Sequence, residues 1–248
     1  MRNIWTLAKR EFRLYFDTPL AYVAAFIIYL VTGVIIGVSI WSGANSAYMS
    51  GPMPAPDARL IVSPMMFFIL FLAPALTMRL ISDEIRMGTM ELLLTAPVRD
   101  SELVIGKWLG SFLFMLTLIA GTAIFIVILY NVSTNGIDPL LTLSIYLGAV
   151  LVTAAFLAIG TAVSSMFSNQ IAAYFVSLVI IAAFWWLIGF FADVIPGGYE
   201  LIQYLNMTGH FSNFLAGNVS LSDFVFLLSV TVLGLFVGSI SVETRRWR

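Results

Sequence analysis

Apolar residues in this chain come in long runs separated by short polar groups. The run LAYVAAFIIYLVTGVIIGVSIW (Leu20 to Trp41) lies between Asp17 and Asp57 with no charge inside it. A helix needs about 20 apolar residues to cross a hydrocarbon core of about 30 Å. The intervals Asp17 to Asp57, Arg59 to Arg79, Lys107 to Asp138 and Asp223 to Glu243 therefore hold one span each. The stretch from Leu140 to Ala192 has no charge and is about twice the length of one crossing. The polar cluster SSMFSNQ (Ser164 to Gln170) predicts the turn that divides it in two. The pattern thus predicts an all-α integral membrane fold, residues 1–248 forming one transmembrane domain, with spans over 20–41, 61–80, 108–130, 140–163, 171–192 and 222–242. A Ser, Gly, Ala and Pro-rich loop is expected directly after the first span.

The flanks carry a different periodicity. In MRNIWTLAKREFRLYFDTP, residues Ile4, Trp5, Ala8, Phe12, Tyr15 and Phe16 recur at helical spacing, with Lys9, Arg10 and Arg13 largely opposite. This predicts a helix over 1–18 lying in the membrane interface. Thr18 as N-cap and Pro19 as first helical residue then start the first span.

Composition agrees with the spans: 60% of residues are hydrophobic, 10% are charged, and the mean hydropathy is +1.00, too little polar surface for a water-soluble chain of 248 residues. Basic residues set the orientation, because short loops rich in Lys and Arg stay in the cytoplasm. With six spans the inner side receives Arg2, Lys9, Arg10, Arg13, Arg79, Arg86, Arg99, Lys107, Arg245, Arg246 and Arg248, and only Arg59 falls outside. The expectation is a multi-pass protein of a bacterial inner membrane with both termini cytoplasmic. The net charge of −1 gives no reason to expect nucleic-acid binding, and without Cys there is no disulfide, thiolate or Cys metal site. The first 19 residues lack the layout of a cleaved signal peptide.

The expected cytoplasmic connection, 82–107, holds eight of the chain's 25 charges (12 basic plus 13 acidic). Residues 82–108, SDEIRMGTMELLLTAPVRDSELVIGKW, hold Asp83, Glu84, Arg86, Glu91, Arg99, Asp100, Glu102 and Lys107. The second helix is expected to run past Arg79 into water and stop at Gly88. Thr89 can cap a short new helix, MELLLTAP, that ends at Pro97. Its Leu92, Leu93 and Leu94 are too apolar to face water uncovered. Asp100 or Ser101 then caps the third span, with Glu102 in its first turn. A short crosswise helix between two breakers, with a greasy side that needs a cover, is the local reading; lipid headgroups or another protein would supply that cover.

These residues resemble the cytoplasmic connection of ABC-2 type permeases, the membrane subunits of a class of ATP-binding cassette transporters. The matching positions are Glu84, then Gly88, Thr89, Glu91, Leu92, Leu93, Leu94, Thr95, Pro97 and Val98, then Gly106 and Lys107. A second stretch near the C-terminus, with His210, Phe211, Gly217, Asp223 and Arg245 to Trp247, resembles the branch that includes gliding-motility and nitrous-oxide-reductase maturation permeases. The resemblance implies that the short helix is a coupling helix, with Glu84, Gly88, Thr89, Glu91, Leu92, Leu93, Thr95, Pro97 and Val98 forming the contact with a separate ATPase subunit. It also implies pairing with a second permease subunit, as homodimer or heterodimer, around a path faced by the second and fifth spans, and the arrangement admits an accessory subunit. Export is the expected direction. The chain has no Gly-x-x-x-x-Gly-Lys-Ser/Thr phosphate loop, so ATP and Mg are expected in the partner; this chain is expected to bind no cofactor or metal and not to be an enzyme by itself.

Candidates for the path are Met65, Met66, Phe67 and Phe68 in span two, near Pro74, and Phe175 and Phe184 in span five, because Met and aromatic side chains make an adaptable apolar surface. Glycine and alanine at Gly33, Gly37, Gly148, Ala154, Ala155, Ala158, Gly160, Ala162, Gly234 and Gly238 predict close helix contacts, chiefly within one subunit. His210, the single histidine, is expected in the outer loop 193–221, in short helices that dip toward the membrane, and reads as structural. The alternative function is a secondary transporter or channel subunit not driven by ATP, which normally carries ionisable residues at midmembrane; here the charges lie at or beyond the span ends.

Overall fold

The computed structural model describes residues 2–50, 57–89, 99–132, 136–188 and 204–246. Among them are helices α1 (Arg2–Phe16), α2 (Pro19–Ser50), α3 (Arg59–Thr77), α4 (Ser82–Arg86), α5 (Asp100–Gly121), α6 (Ala123–Val132), α7 (Pro139–Met166), α8 (Gln170–Ala182), α9 (Met207–Leu215) and α10 (Leu221–Arg246), with a π-helical turn Ala183–Leu187 extending α8. The described residues contain no strand. Six stretches are long and apolar enough to cross a membrane: Ala21–Ser42, Arg59–Arg86, Asp100–Val132, Pro139–Met166, Gln170–Leu187 and Leu221–Arg245. Among the described residues the chain is thus all-helical, with six candidate membrane-spanning helices as the sequence predicts.

Local chemistry explains the boundaries. Asp138 caps α7, accepting from Leu140 N at 2.9 Å, with Pro139 in the first position that needs no amide donor. Asn169 caps α8 in the same way through Ile171 N at 2.9 Å, so the polar cluster is the predicted turn. Asn206 caps α9.

Helix α7 is the centre of the bundle. It is buried almost continuously from Val152 to Ser165 and packs against α3, α5, α8, α9 and α10. Its small residues make that possible. A β-carbon on Gly148 would strike Phe214 of α9, and one on Gly160 would overlap Thr77 of α3. On the facing helix, a β-carbon on Gly234 would lie 2.9 Å from the Ala158 carbonyl carbon, and Gly238 faces Ala162. Close van der Waals approach of this kind holds membrane helices together. The Gly234 and Gly238 pattern is thus used inside the subunit, whereas Gly37 meets nothing.

Two elements and one cap differ from the sequence reading; the cap is that of α5, which begins after Arg99, whose amide donates to Glu102 Oε2 at 3.2 Å, and not after Asp100 or Ser101. Helix α2 continues to Ser50 where a loop was expected. Ala44, Ala47 and Met49 favour helix, and once a helix is propagating a single Gly43 costs only about 1 kcal/mol. Second, the helix of span two does not run unbroken to Gly88: it ends at Thr77, turns through 78–81 and restarts as α4. The break persists because its backbone groups find partners. Ser164 Oγ accepts from Ile81 N at 3.1 Å and Ser82 N at 3.2 Å, and Lys107 Nζ donates to Leu80 O at 2.6 Å. Gly88 itself has φ +69°, the left-handed conformation that glycine adopts without strain.

Candidate coupling site

Helices α1 and α5 run side by side in the same direction, in a register that steps evenly along both. Asn3 donates to Glu102 at 3.3 Å, Leu7 sits over Gly106, Glu11 over Gly110, and Tyr15 stacks on Phe114 with centroids 5.0 Å apart. Gly106 and Gly110 permit this contact: a β-carbon would lie 2.8 Å from Leu7 Cβ at the first and 2.5 Å from Glu11 Cβ at the second. The N-terminal helix is therefore seated lengthwise on the start of the third span. Ala8, Glu11 and Tyr15 are buried, while Trp5 and Phe16 remain exposed. Burial holds the Tyr15 phenol far above its ordinary pKa, so it stays protonated and donates to Leu76 O at 3.1 Å.

This pairing brings Glu11 to a buried cation. Lys107, only 3% exposed, extends Nζ to Glu84 Oε1 at 2.7 Å, Glu11 Oε1 at 3.2 Å and Leu80 O at 2.6 Å. An ammonium has three donors, and all three are used. One side chain thus ties α1, the α3–α4 break and α5 together. Two carboxylates share one cation, and Glu84 Oε2 is buried without a hydrogen-bond partner. Arg10 adds a second cation to Glu11 at 3.3 Å. A cavity of about 260 Å³ opens beside the cluster, lined in part by Arg10, Arg79 and Asp83.

Helix α4 makes two further ties. Its Asp83 accepts from Gln170 at the start of α8 and pairs with Arg86 at 3.1 Å. Through Ser164 its first residues are held to α7. Five residues therefore link to the third, fourth and fifth spans at one end of the bundle.

The residues expected to couple to a partner are distributed as follows. Glu84 points inward to Lys107, and Thr89 donates back to Glu84 O at 3.4 Å beside the left-handed Gly88. Glu91, Leu92, Leu93, Thr95, Pro97 and Val98 lie outside the described residues. The expected path residues separate into two sets. Met65 and Met66 are in the core, Phe68 and Phe184 pack partly buried against it, and Phe67 and Phe175 are exposed on the subunit surface. Phe67 contacts Phe71 and Trp186, so the exposed aromatic face joins spans two and five. Periodicity explains the split: Met65, Met66, Ile69 and Ala73 follow the inward stripe of α3, and Phe67 and Phe71 the outward one.

At the opposite end, His210 is in a closed pair. Its Nδ1 lies 2.6 Å from Asp223 Oδ1 and its Nε2 2.7 Å from Tyr204 O, while Asn213 donates to Asp223 Oδ2 at 2.9 Å. A carbonyl only accepts, so Nε2 carries a proton, and the short contact to Asp223 needs another: the pair holds two protons between them. Phe226 stacks on the ring at 4.0 Å. The residues flanking this pair close the end of α10 onto α9, which supports the structural reading of His210. Asp223 was the missing partner, and the signal available was an acid 13 residues after the single histidine.

No match is found among curated proteins. The family profile described as ABC-2 type transporter matches residues 2–220, which includes every element from α1 to α9, both faces of the charged joint and the aromatic face of spans two and five. The chain belongs to the ABC-2 type transporter family and is a multi-pass membrane permease component.

Proposed function

We propose that this permease subunit exports its substrate on ATP hydrolysis by a separate ATPase subunit, which docks on residues 82–107. The observation that carries this reading is the charged joint beside that segment. Glu84 precedes the proposed docking helix and Lys107 follows it, and the two are bonded at 2.7 Å. A push on the helix between them would be delivered to α1, α5, α7 and α8 together rather than lost in a loose loop. In this reading Glu91 and the leucines beside it meet the ATPase, and Glu84 holds the segment to the bundle from within. ATP and Mg are held by the partner.

A second permease subunit, identical or not, would face the exposed aromatic surface, placing Phe67 and Phe175 at the path, with Met65, Met66, Phe68 and Phe184 packed behind them. Such a surface suits an amphipathic or lipid-like substrate. The basic residues favour cytoplasmic termini in a bacterial inner membrane. The gliding-motility and nitrous-oxide-reductase maturation branch is proposed from residues 205–247, most of which follow the matched region.

The test is reconstitution of the permease with its co-purifying ATPase in liposomes. Glu91→Arg is expected to abolish substrate-stimulated ATPase and transport while insertion and assembly persist. Unchanged stimulation would overturn the docking assignment, and proton-driven transport by the permease alone would favour the secondary transporter.

A further inference from the structure

The parallel seating of α1 on α5 leaves a groove of about 590 Å³ along one flank of the pair. Its walls change character along its length. Trp5, Lys9 and Arg13 line one part, and Phe12, Leu116 and Ala120 continue the wall along the two helices. In the register of the two helices, Lys9 stands level with Trp108 and Arg13 with Phe112, in the third and fourth turns of α5. Leu116 and Ala120 lie one to two turns further along, toward the middle of the span. The groove thus carries its two cations toward the start of the helices, with the apolar wall of Leu116 and Ala120 continuing beyond them.

Of the basic residues nearby several are held in ion pairs, whereas Arg79, in the polar cavity at the joint, and the two cations of the groove are not, among the described residues. Arg10 is paired with Glu11, Lys107 with Glu11 and Glu84, Arg86 with Asp83 and Arg59 with Asp57. Among the described residues Lys9 and Arg13 make no ion pair, and they sit one helical turn apart at the edge of an apolar slot. Long basic side chains over an apolar groove can reach a headgroup while their stems cover hydrocarbon.

From this arrangement the geometry points to a binding site for an anionic phospholipid of the leaflet nearest the N-terminus. The phosphate lies between Lys9 and Arg13, Trp5 sits at headgroup level, and one acyl chain follows Phe12, Leu116 and Ala120 along α5. The volume is in the range of ordinary small-molecule sites. A lipid so held would clamp α1 to α5 from the flank next to the buried joint. The inference depends on the groove alone, and neither ATP coupling nor the direction of transport enters it.

The test uses the full chain in mixed micelles, with bound lipid counted by native mass spectrometry during titration with phosphatidylglycerol or phosphatidylcholine. Wild type is expected to retain phosphatidylglycerol in preference to phosphatidylcholine. K9Q/R13Q should weaken that binding about 30-fold, from the loss of two surface cations. Ala120→Trp, which fills the slot and keeps both charges, should lose it as well. Equal retention of the two lipids by wild type overturns the site, and so does undiminished phosphatidylglycerol binding in either variant. If K9Q/R13Q fails to fold, Ala120→Trp and the wild-type lipid comparison still decide the matter.

Discussion

Both ends of the bundle bury a cluster of ionisable side chains, and the two are built differently. At the His210 end the partners are 13 residues apart, every polar atom is engaged, and an aromatic ring lies flat on the imidazole. At the Lys107 end the partners come from residues 96 apart, two carboxylates compete for one ammonium, and one carboxylate oxygen has nothing to bond. The first arrangement is closed and local, which suits a rivet. The second is long-range and incompletely satisfied, with a cavity alongside, which suits a joint whose connections can be redistributed. Buried pairs are poor sources of net stability, since desolvation offsets their attraction, so the difference concerns geometry more than strength.

Lys107→Met breaks the comparison most severely. It leaves Glu11 and Glu84 buried without their shared cation, so a loss of about 3–5 kcal/mol is expected. The thermal unfolding midpoint in detergent should fall, and substrate-stimulated ATPase in the reconstituted complex should be lost; retention of both would show that the lysine joins nothing. His210→Leu attacks the rivet and should cost about 3 kcal/mol through the unpaired Asp223. Here the folded fraction should keep its coupling, measured as stimulated ATPase per assembled complex. Equal loss of coupling at both sites would erase the distinction.

Ser164→Ala removes the hydroxyl that accepts two backbone donors at the α3–α4 break, for about 1 kcal/mol. Amide exchange at Ile81 and Ser82 should accelerate, with protection elsewhere maintained. Glu84→Gln has the smallest expected effect on stability, within about 1 kcal/mol, because Lys107 keeps Glu11 and the excess carboxylate is gone. Transport should nevertheless fall by more than the stability change explains. If transport and stability decline together, Glu84 is only a packing group.

Much of this was legible in the sequence because the membrane imposes a simple rule: charge-free runs of a fixed length become spans. The turn at SSMFSNQ and the stop at Gly88 were read from local residues; the caps at Asp138 and Asn169 are equally local signals that the span pattern alone did not bring out. The break at 78–81 was not, because its stability comes from Ser164 and Lys107, residues 82 and 27 positions away from the groups they satisfy. Nor was the seating of α1. Its helical period was clear, but the sequence alone could not distinguish a lipid surface from α5 as the cover for its apolar face. One signal was present: Glu11 falls on the same stripe as Ala8 and Tyr15, where an acid is out of place unless a base meets it. Gly106 and Gly110, four apart at the start of a span, marked the surface that receives it. For the path residues, the choice between the inward and outward stripes of α3 needed the neighbouring helices.

The register of α1 on α5 also has a meaning for biosynthesis. Glu11 is made first, yet its lysine is added 96 residues later. At a synthesis rate of about 5–20 residues per second the carboxylate waits roughly 5–20 s for its counter-ion. During that interval the first two spans can enter the bilayer, but the N-terminal helix has no groove to occupy. Only the third span brings Gly106, Gly110 and Lys107 to the N-terminal helix, so the first helix made is seated after two spans have already been synthesised.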